Sequence, residues 1–163
     1  MALPPNVQAA IDEIRTVINS GKTFLNGAFI DEQAFFIATS RLKKILPNEL
    51  RILARVEKDM KRTLDCLTQI DNLEILAETG KAHVFGKVWI NQQVCLQQLE
   101  ALKAALIRDL RQAEEWVASH PSRAESEVQA AQTEAERIIE DAKREAARIL
   151  GEAKRNRENP WSS

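Results

Sequence analysis

Apolar residues recur at intervals of three and four along most of this 163-residue chain, the spacing that gathers them on one face of an α-helix. Val7, Ile11, Ile14 and Ile18 form a first stripe, and Leu73, Leu76 and Ala77 belong to a similar one later. Leu50, Leu53, Met60, Leu64 and Leu67 keep the same spacing, with no Gly or Pro between Asn48 and Thr79. That stretch therefore predicts one long helix. The pattern changes in Thr23-Phe24-Leu25-Asn26-Gly27-Ala28-Phe29-Ile30 and in Ala82-His83-Val84-Phe85-Gly86-Lys87-Val88-Trp89-Ile90, where β-branched and aromatic residues flank a turn signal. Asn26-Gly27 predicts a type I′ hairpin turn, and Phe85-Gly86 is a weaker form of it. Gly21 and Gly80 precede these runs as expected left-handed helix stops. Asp31 and Asn91 follow them as expected N-caps.

The similarity between the two regions is an internal repeat. Ile11, Asp12, Gly21, Lys22 and Gly27 match Ile70, Asp71, Gly80, Lys81 and Gly86. After one inserted residue Ile30, Gln33, Leu42, Lys43, Leu46, Leu50 and Arg51 match Ile90, Gln93, Leu102, Lys103, Leu106, Leu110 and Arg111. Each copy reads helix, β-hairpin, helix, with copies at about 7–54 and 66–118. The hairpins either pair or sit at one end of a helical bundle. Pro47 disfavours helical geometry at Leu46, so the second helix of copy one should break and restart there. Ile107 replaces that proline in copy two, which predicts an unbroken helix from about Gln92 to Ala118.

His120-Pro121 closes the duplicated body, residues 1–121. Ser122-Arg123-Ala124-Glu125 then has the form of a capping box, opening a stalk helix over 122–157. The stalk divides into AESEVQAAQTE, AERIIEDAKRE and AARILGEAKRN. Ala124, Val128, Ala131, Ala135, Ile139, Ala142, Ala146, Leu150 and Ala153 fall in register. An eleven-residue repeat has a period of about 3.67 and favours a straight or right-handed seam. Acid-before-base pairs support the helix, among them Glu134/Arg137, Glu140/Lys143, Asp141/Arg144, Glu145/Arg148 and Glu152/Arg155, each by a few tenths of a kcal/mol. The seam is too narrow to form a core alone and needs another helix, most simply the same helix of a second chain. Residues 158–163 are expected to be disordered. The fold class is mainly α: a duplicated helix–β-hairpin–helix body followed by a long C-terminal coiled-coil-type helix.

Composition agrees, with 5 Gly, 5 Pro and no Tyr, too little turn chemistry for an all-β fold. A net charge of −1 provides no global field for nucleic acid or an anionic membrane. No apolar run reaches membrane-spanning length, and MALPPNVQ lacks the features of a signal peptide; a cytoplasmic protein is the expectation. Cys66 and Cys95 read as reduced apolar fillers. His83 and His120 lack the partners of a metal shell, and Gly21-Lys22-Thr23 lacks the upstream glycine of a phosphate loop, where Thr16 stands. No catalytic residue, metal or cofactor is expected, and the chain reads as a non-enzyme. Arg51, Arg55, Lys58 and Arg62 share a helix face that either meets a polyanion or is solvated and paired with nearby acids. Most of Phe24, Phe29, Phe35, Phe36, Phe85 and Trp89 are expected in the core, one or two at hairpin tips being free to touch a membrane or partner.

The helix, the Gly-Lys hairpin, Ile30-Asp31-Glu32, Leu46-Pro47-Asn48-Glu49-Leu50 and the downstream AERIIEDAKREAARIL together resemble the DivIVA-like coiled-coil proteins of bacteria. The tail is also similar to the stalk of the F-type ATP synthase b subunit. The resemblance implies a cytoplasmic, self-associating scaffold that positions other proteins at the division site, the pole or the inner membrane face. With no Tyr, the chain lacks the Gly-Tyr-Asp signature of DivIVA, and it lacks the b subunit's membrane helix. Protein partners and a homodimer through the C-terminal helix are expected. Two alternatives remain open: a peripheral binder of anionic membrane or nucleic acid, and a stalk-like subunit of a larger complex.

Overall fold

A computed structural model describes residues 2–80 and 83–158. It is mainly helical, with one small antiparallel sheet, and divides into two units, one ending at Ser119 and one beginning at His120. The first unit runs α1 (Pro5–Asn19), β1 (Lys22–Phe24), β2 (Gly27–Asp31), α2 (Glu32–Lys44), α3 (Asn48–Asp59), α4 (Asp65–Glu78), β3 (His83–Val84), β4 (Lys87–Ile90) and α5 (Gln92–Ser119). The second contains α6 (Pro121–Glu158).

The two hairpins pair with each other in strand order β1-β2-β4-β3. Along the central antiparallel pair, Ala28 meets Ile90, Phe29 meets Trp89, Ile30 meets Val88 and Asp31 meets Lys87. Phe29 and Trp89 are equivalent residues of the two copies, so a local two-fold axis passes through that pair. The hairpin tips consequently lie at opposite ends of the sheet. Period-2 alternation sends Ala28, Ile30, Val88 and Ile90 inward, all buried, onto a layer built from α1, α2, α4 and α5. Ile11, Ile14, Ile18, Phe35, Leu42, Ile70, Leu73, Leu99, Leu102 and Leu106 fill that layer without exposure. Each such side chain contributes about 1.5–3 kcal/mol by leaving water.

Several local details follow the chemistry of the sequence. Asp31 Oδ1 accepts from Ala34 N–H at 2.9 Å and Asn91 Oδ1 from Val94 N–H at 3.2 Å, equivalent caps on α2 and α5. The break around Pro47 separates α2 from α3, whereas α5 runs unbroken.

Other details correct it. The expected helix from Asn48 through Thr79 is interrupted between Asp59 and Asp65. Lys61 adopts φ 58°, and the Arg62 and Lys61 N–H groups donate to the Glu57 and Lys58 carbonyls. This is a Schellman stop built on lysine. It lets α4 turn back to pack against α5, a tertiary gain that overrides local propensity. Gly21 and Gly80 are not left-handed; each lies where a Cβ would strike the adjoining strand, near Ala28 and Ile30 or near Val88 and the Trp89 carbonyl. The first turn is also displaced by one residue. Phe24 pairs with Gly27, so the turn is Leu25-Asn26, with φ 56° at Leu25. Gly27 is a strand residue because the Trp89 ring occupies the space of a side chain there. The second turn is Phe85-Gly86, with φ 51° and 75°. Strand pairing thus equates Asn26, not Gly27, with Gly86, and the extra residue of copy two falls between Gly80 and His83. Finally, α6 begins at Pro121, with Ala124 N–H donating to the His120 carbonyl; Ser122 lies inside the first turn instead of capping it.

Candidate functional site

Among the described residues no group of three or more His, Cys, Asp or Glu side chains could hold a metal ion. None of the described helices is long and apolar enough to cross a membrane. Cys66 and Cys95 are free and buried. Burial pushes the Cys66 thiol far up, helped by the neighbouring Asp109 carboxylate, and raises Cys95 to about 11. Both thiols stay protonated and weakly reactive. The second Gly-Lys pair ends at Lys81, which lies outside the described residues, as does Trp161.

The basic stripe of α3 is partly engaged in local structure. Arg51 Nε donates to the Leu46 carbonyl at 3.1 Å and its guanidinium also reaches the Lys44 carbonyl. It thereby satisfies carbonyls left open at the end of α2. Arg62 lies beyond the helix and pairs with Glu57 at 2.9 Å. Arg55 is half-buried and Lys58 is exposed.

In the second unit every residue from 129 to 150 is exposed. Ala131, Ala135, Ile139, Ala142, Ala146 and Leu150 lie in that stretch on one helix with Ala124, Val128 and Ala153. Ile138 and Ile149 widen the stripe, and Leu150 is 70% exposed. Arg148 bridges Glu145 and Glu152, the latter at 2.7 Å, holding the Glu145 carboxyl below its ordinary range. Arg144 stands 3.9 Å from Asp141.

The aromatic residues depart most from expectation. Of the six singled out in the sequence, Phe35 is fully buried. Phe36, Phe29 and Trp89 are half-buried, while Phe24 is 64%, Leu25 86% and Phe85 100% exposed. Leu25 and Phe85 occupy equivalent positions at the two tips, and both hold a left-handed φ that costs a non-glycine residue about 1–2 kcal/mol. Both tips thus display a large apolar side chain on a turn with strained backbone. Exposure of Phe24 and Phe85 is what the sequence left open for one or two aromatics at the tips, whereas the half-burial of Phe29 and Trp89 depends on which face of the sheet the helices cover.

Two concavities adjoin the second tip. A groove of about 800 Å³ runs beside α2, lined by Glu32, Phe36, Ile37, Arg41, Lys44 and Phe85 among others. A shallower cavity of about 230 Å³ lies on the uncovered face of the sheet between Lys22, Phe29, Phe85 and Lys87. Neither brings together a nucleophile, a base and a group to orient it. No protein family, curated protein or solved structure matches this chain.

Proposed function

We propose that this chain is a non-enzymatic scaffold: a duplicated, pseudo-symmetric body that carries a helical arm for self-association. The observation that supports it best is the exposed stripe of α6, where Ile138, Ile139, Ile149 and Leu150 stand in water on a helix of 38 residues, about 57 Å long. Its Ala-, Glu- and Arg-rich composition favours helix by intrinsic propensity, and covering its exposed apolar face would be the gain from a neighbouring helix. Small residues in the same stripe allow a second helix to approach closely. The reading places the protein among DivIVA-like scaffolds of the bacterial cytoplasm, where a dimeric arm would arrange two bodies for partner proteins at the division site, pole or membrane face.

Light scattering on the full chain tests this. A dimer at micromolar concentration is expected, converted to monomer by Ile139→Glu with Leu150→Glu; a full-length monomer under the same conditions removes the reading. A polyanion-binding stripe on α3 draws less support, because Arg51 and Arg62 already serve the helix ends around them.

A further inference from the structure

We propose that the uncovered face of the sheet binds a short single-stranded nucleic acid, with its bases on Trp89, Phe29 and Phe85 and its phosphates beside Lys22 and Lys87. The register places these groups together. Lys22 is opposite Phe29, and Phe29 is opposite Trp89, so all three side chains share one face. Lys87 is two residues from Trp89 on the same strand and shares that face. Within the first unit, α1, α2, α4 and α5 pack on the other side.

The aromatic pair is built as a platform. Trp89 and Phe29 sit on the two central strands with ring centroids 4.8 Å apart and planes inclined by 64°. The indole packs over Gly27: Cζ2 and Cε2 lie 2.4 and 2.6 Å from where a Cβ would stand. Glycine therefore lets the indole settle onto the sheet, and Phe29 braces it edge-on. Phe85, fully exposed, rises at one end beside the 230 Å³ cavity that Lys22 and Lys87 also line. That cavity is smaller than the pockets that enclose small ligands, which are about 300–1,000 Å³. A shallow surface bearing the exposed Phe85 beside the half-buried Phe29 and Trp89 rings suits stacking, which needs only a π-face from each base. Four-stranded antiparallel sheets backed by helices and bearing aromatics are an effective support for unstacked bases.

Charge decides the class of occupant. Lys22 and Lys87 stand among the rings; Asp31, opposite Lys87 on the same face, is engaged as the N-cap of α2, where its Oδ1 accepts from the Ala34 N–H. At a membrane both ammonium groups would snorkel back to the headgroups and leave the half-buried Phe29 and Trp89 without a partner, whereas a nucleotide strand offers a phosphate to each lysine while its bases cover the rings. The chain's overall charge of −1 is no obstacle to a local site of this kind, since the two lysines are brought together only by the pairing of β2 with β4.

Fluorescence anisotropy of labelled single-stranded RNA and DNA oligonucleotides with the full chain at low salt is the test, run beside sedimentation with phosphatidylserine-containing vesicles. Binding is expected to single strands over the matching duplex. Phe85→Ala, at a fully exposed tip, should weaken it about fivefold or more. Lys22→Ala with Lys87→Ala should flatten the dependence of log affinity on log salt by ~1.4. Circular dichroism confirms that these surface variants remain folded. No oligonucleotide binding at low salt, binding unchanged by both sets of substitutions, or binding to vesicles alone would each overturn the proposal.

Discussion

Asp109 shows how much can rest on one side chain. It is a buried carboxylate on α5, and its Oδ2 accepts from the Cys66 N–H at 2.8 Å. Leu64, the residue preceding α4, supplies no side-chain cap, so Asp109 caps that helix from a distant part of the chain. Asp109→Ala should lower unfolding free energy by about 1–3 kcal/mol, because it leaves a buried N–H without a partner; urea titration measures it, and Asp109→Asn should lose less. Cys95 makes a pH-dependent contribution. Its thiol has an ordinary value of 9.0 and is raised to about 11 by burial. Below pH 9 both folded and unfolded forms are protonated and stability is unaffected. As pH rises from about 9 towards 11 the unfolded chain loses the proton first, so stability falls through that window. Cys95→Ala should make the urea midpoint fall less steeply there. The glycines separate by cause. Gly27→Ala forces a Cβ to within 2.4 Å of the Trp89 ring and should cost about 1–3 kcal/mol. Gly151→Ala meets nothing within 4 Å and should raise helicity, by about 1 kcal/mol.

Helix boundaries were legible where a side chain or ring dictates them locally. Pro47, Asp31 and Asn91 act through geometry within a turn of themselves, and the unbroken α5 follows from Ile107 taking the proline's place. The stop at Lys61 was not legible, since no residue there favours a left-handed φ. Packing of α4 against α5 imposes it. Lys61→Gly should therefore stabilise the body by about 1 kcal/mol by relieving that strain, seen as a higher urea midpoint with an unchanged slope. The hairpins teach the same lesson. The Asn26-Gly27 signal is strong in isolation, yet Trp89 of the other copy requires the glycine inside the strand, and the turn moves to Leu25-Asn26. In α6, by contrast, the eleven-residue spacing reads directly as a stripe because one continuous helix carries all of it.

At the scale of the molecule, duplication makes one chain resemble a closed pair of modules. The inner sheet face, four strands from two copies, gives each hairpin a partner that a two-stranded ribbon lacks, and an isolated hairpin is marginal in water. Ion pairs cross the copies on both sides of the axis, Arg15 with Glu100 and Lys43 with Glu74, but surface pairs of this kind add little; the buried leucines and isoleucines dominate. Hydrogen exchange should separate the units. Amides in α1 and α5 are expected to exchange only on global opening, whereas the proposed self-association predicts that those of α6 exchange faster in the Ile139→Glu, Leu150→Glu variant than in the wild-type chain. Helix periodicity, the repeat and the stalk stripe were determined by the sequence itself, since each depends on residues within a few turns of one another. Strand order, the displaced turn, the stop at Lys61 and the aromatic-lysine face were decided only by tertiary structure. Pairing β2 with β4 joins residues about sixty positions apart, and the side the helices cover determines which aromatic rings are buried and which meet water.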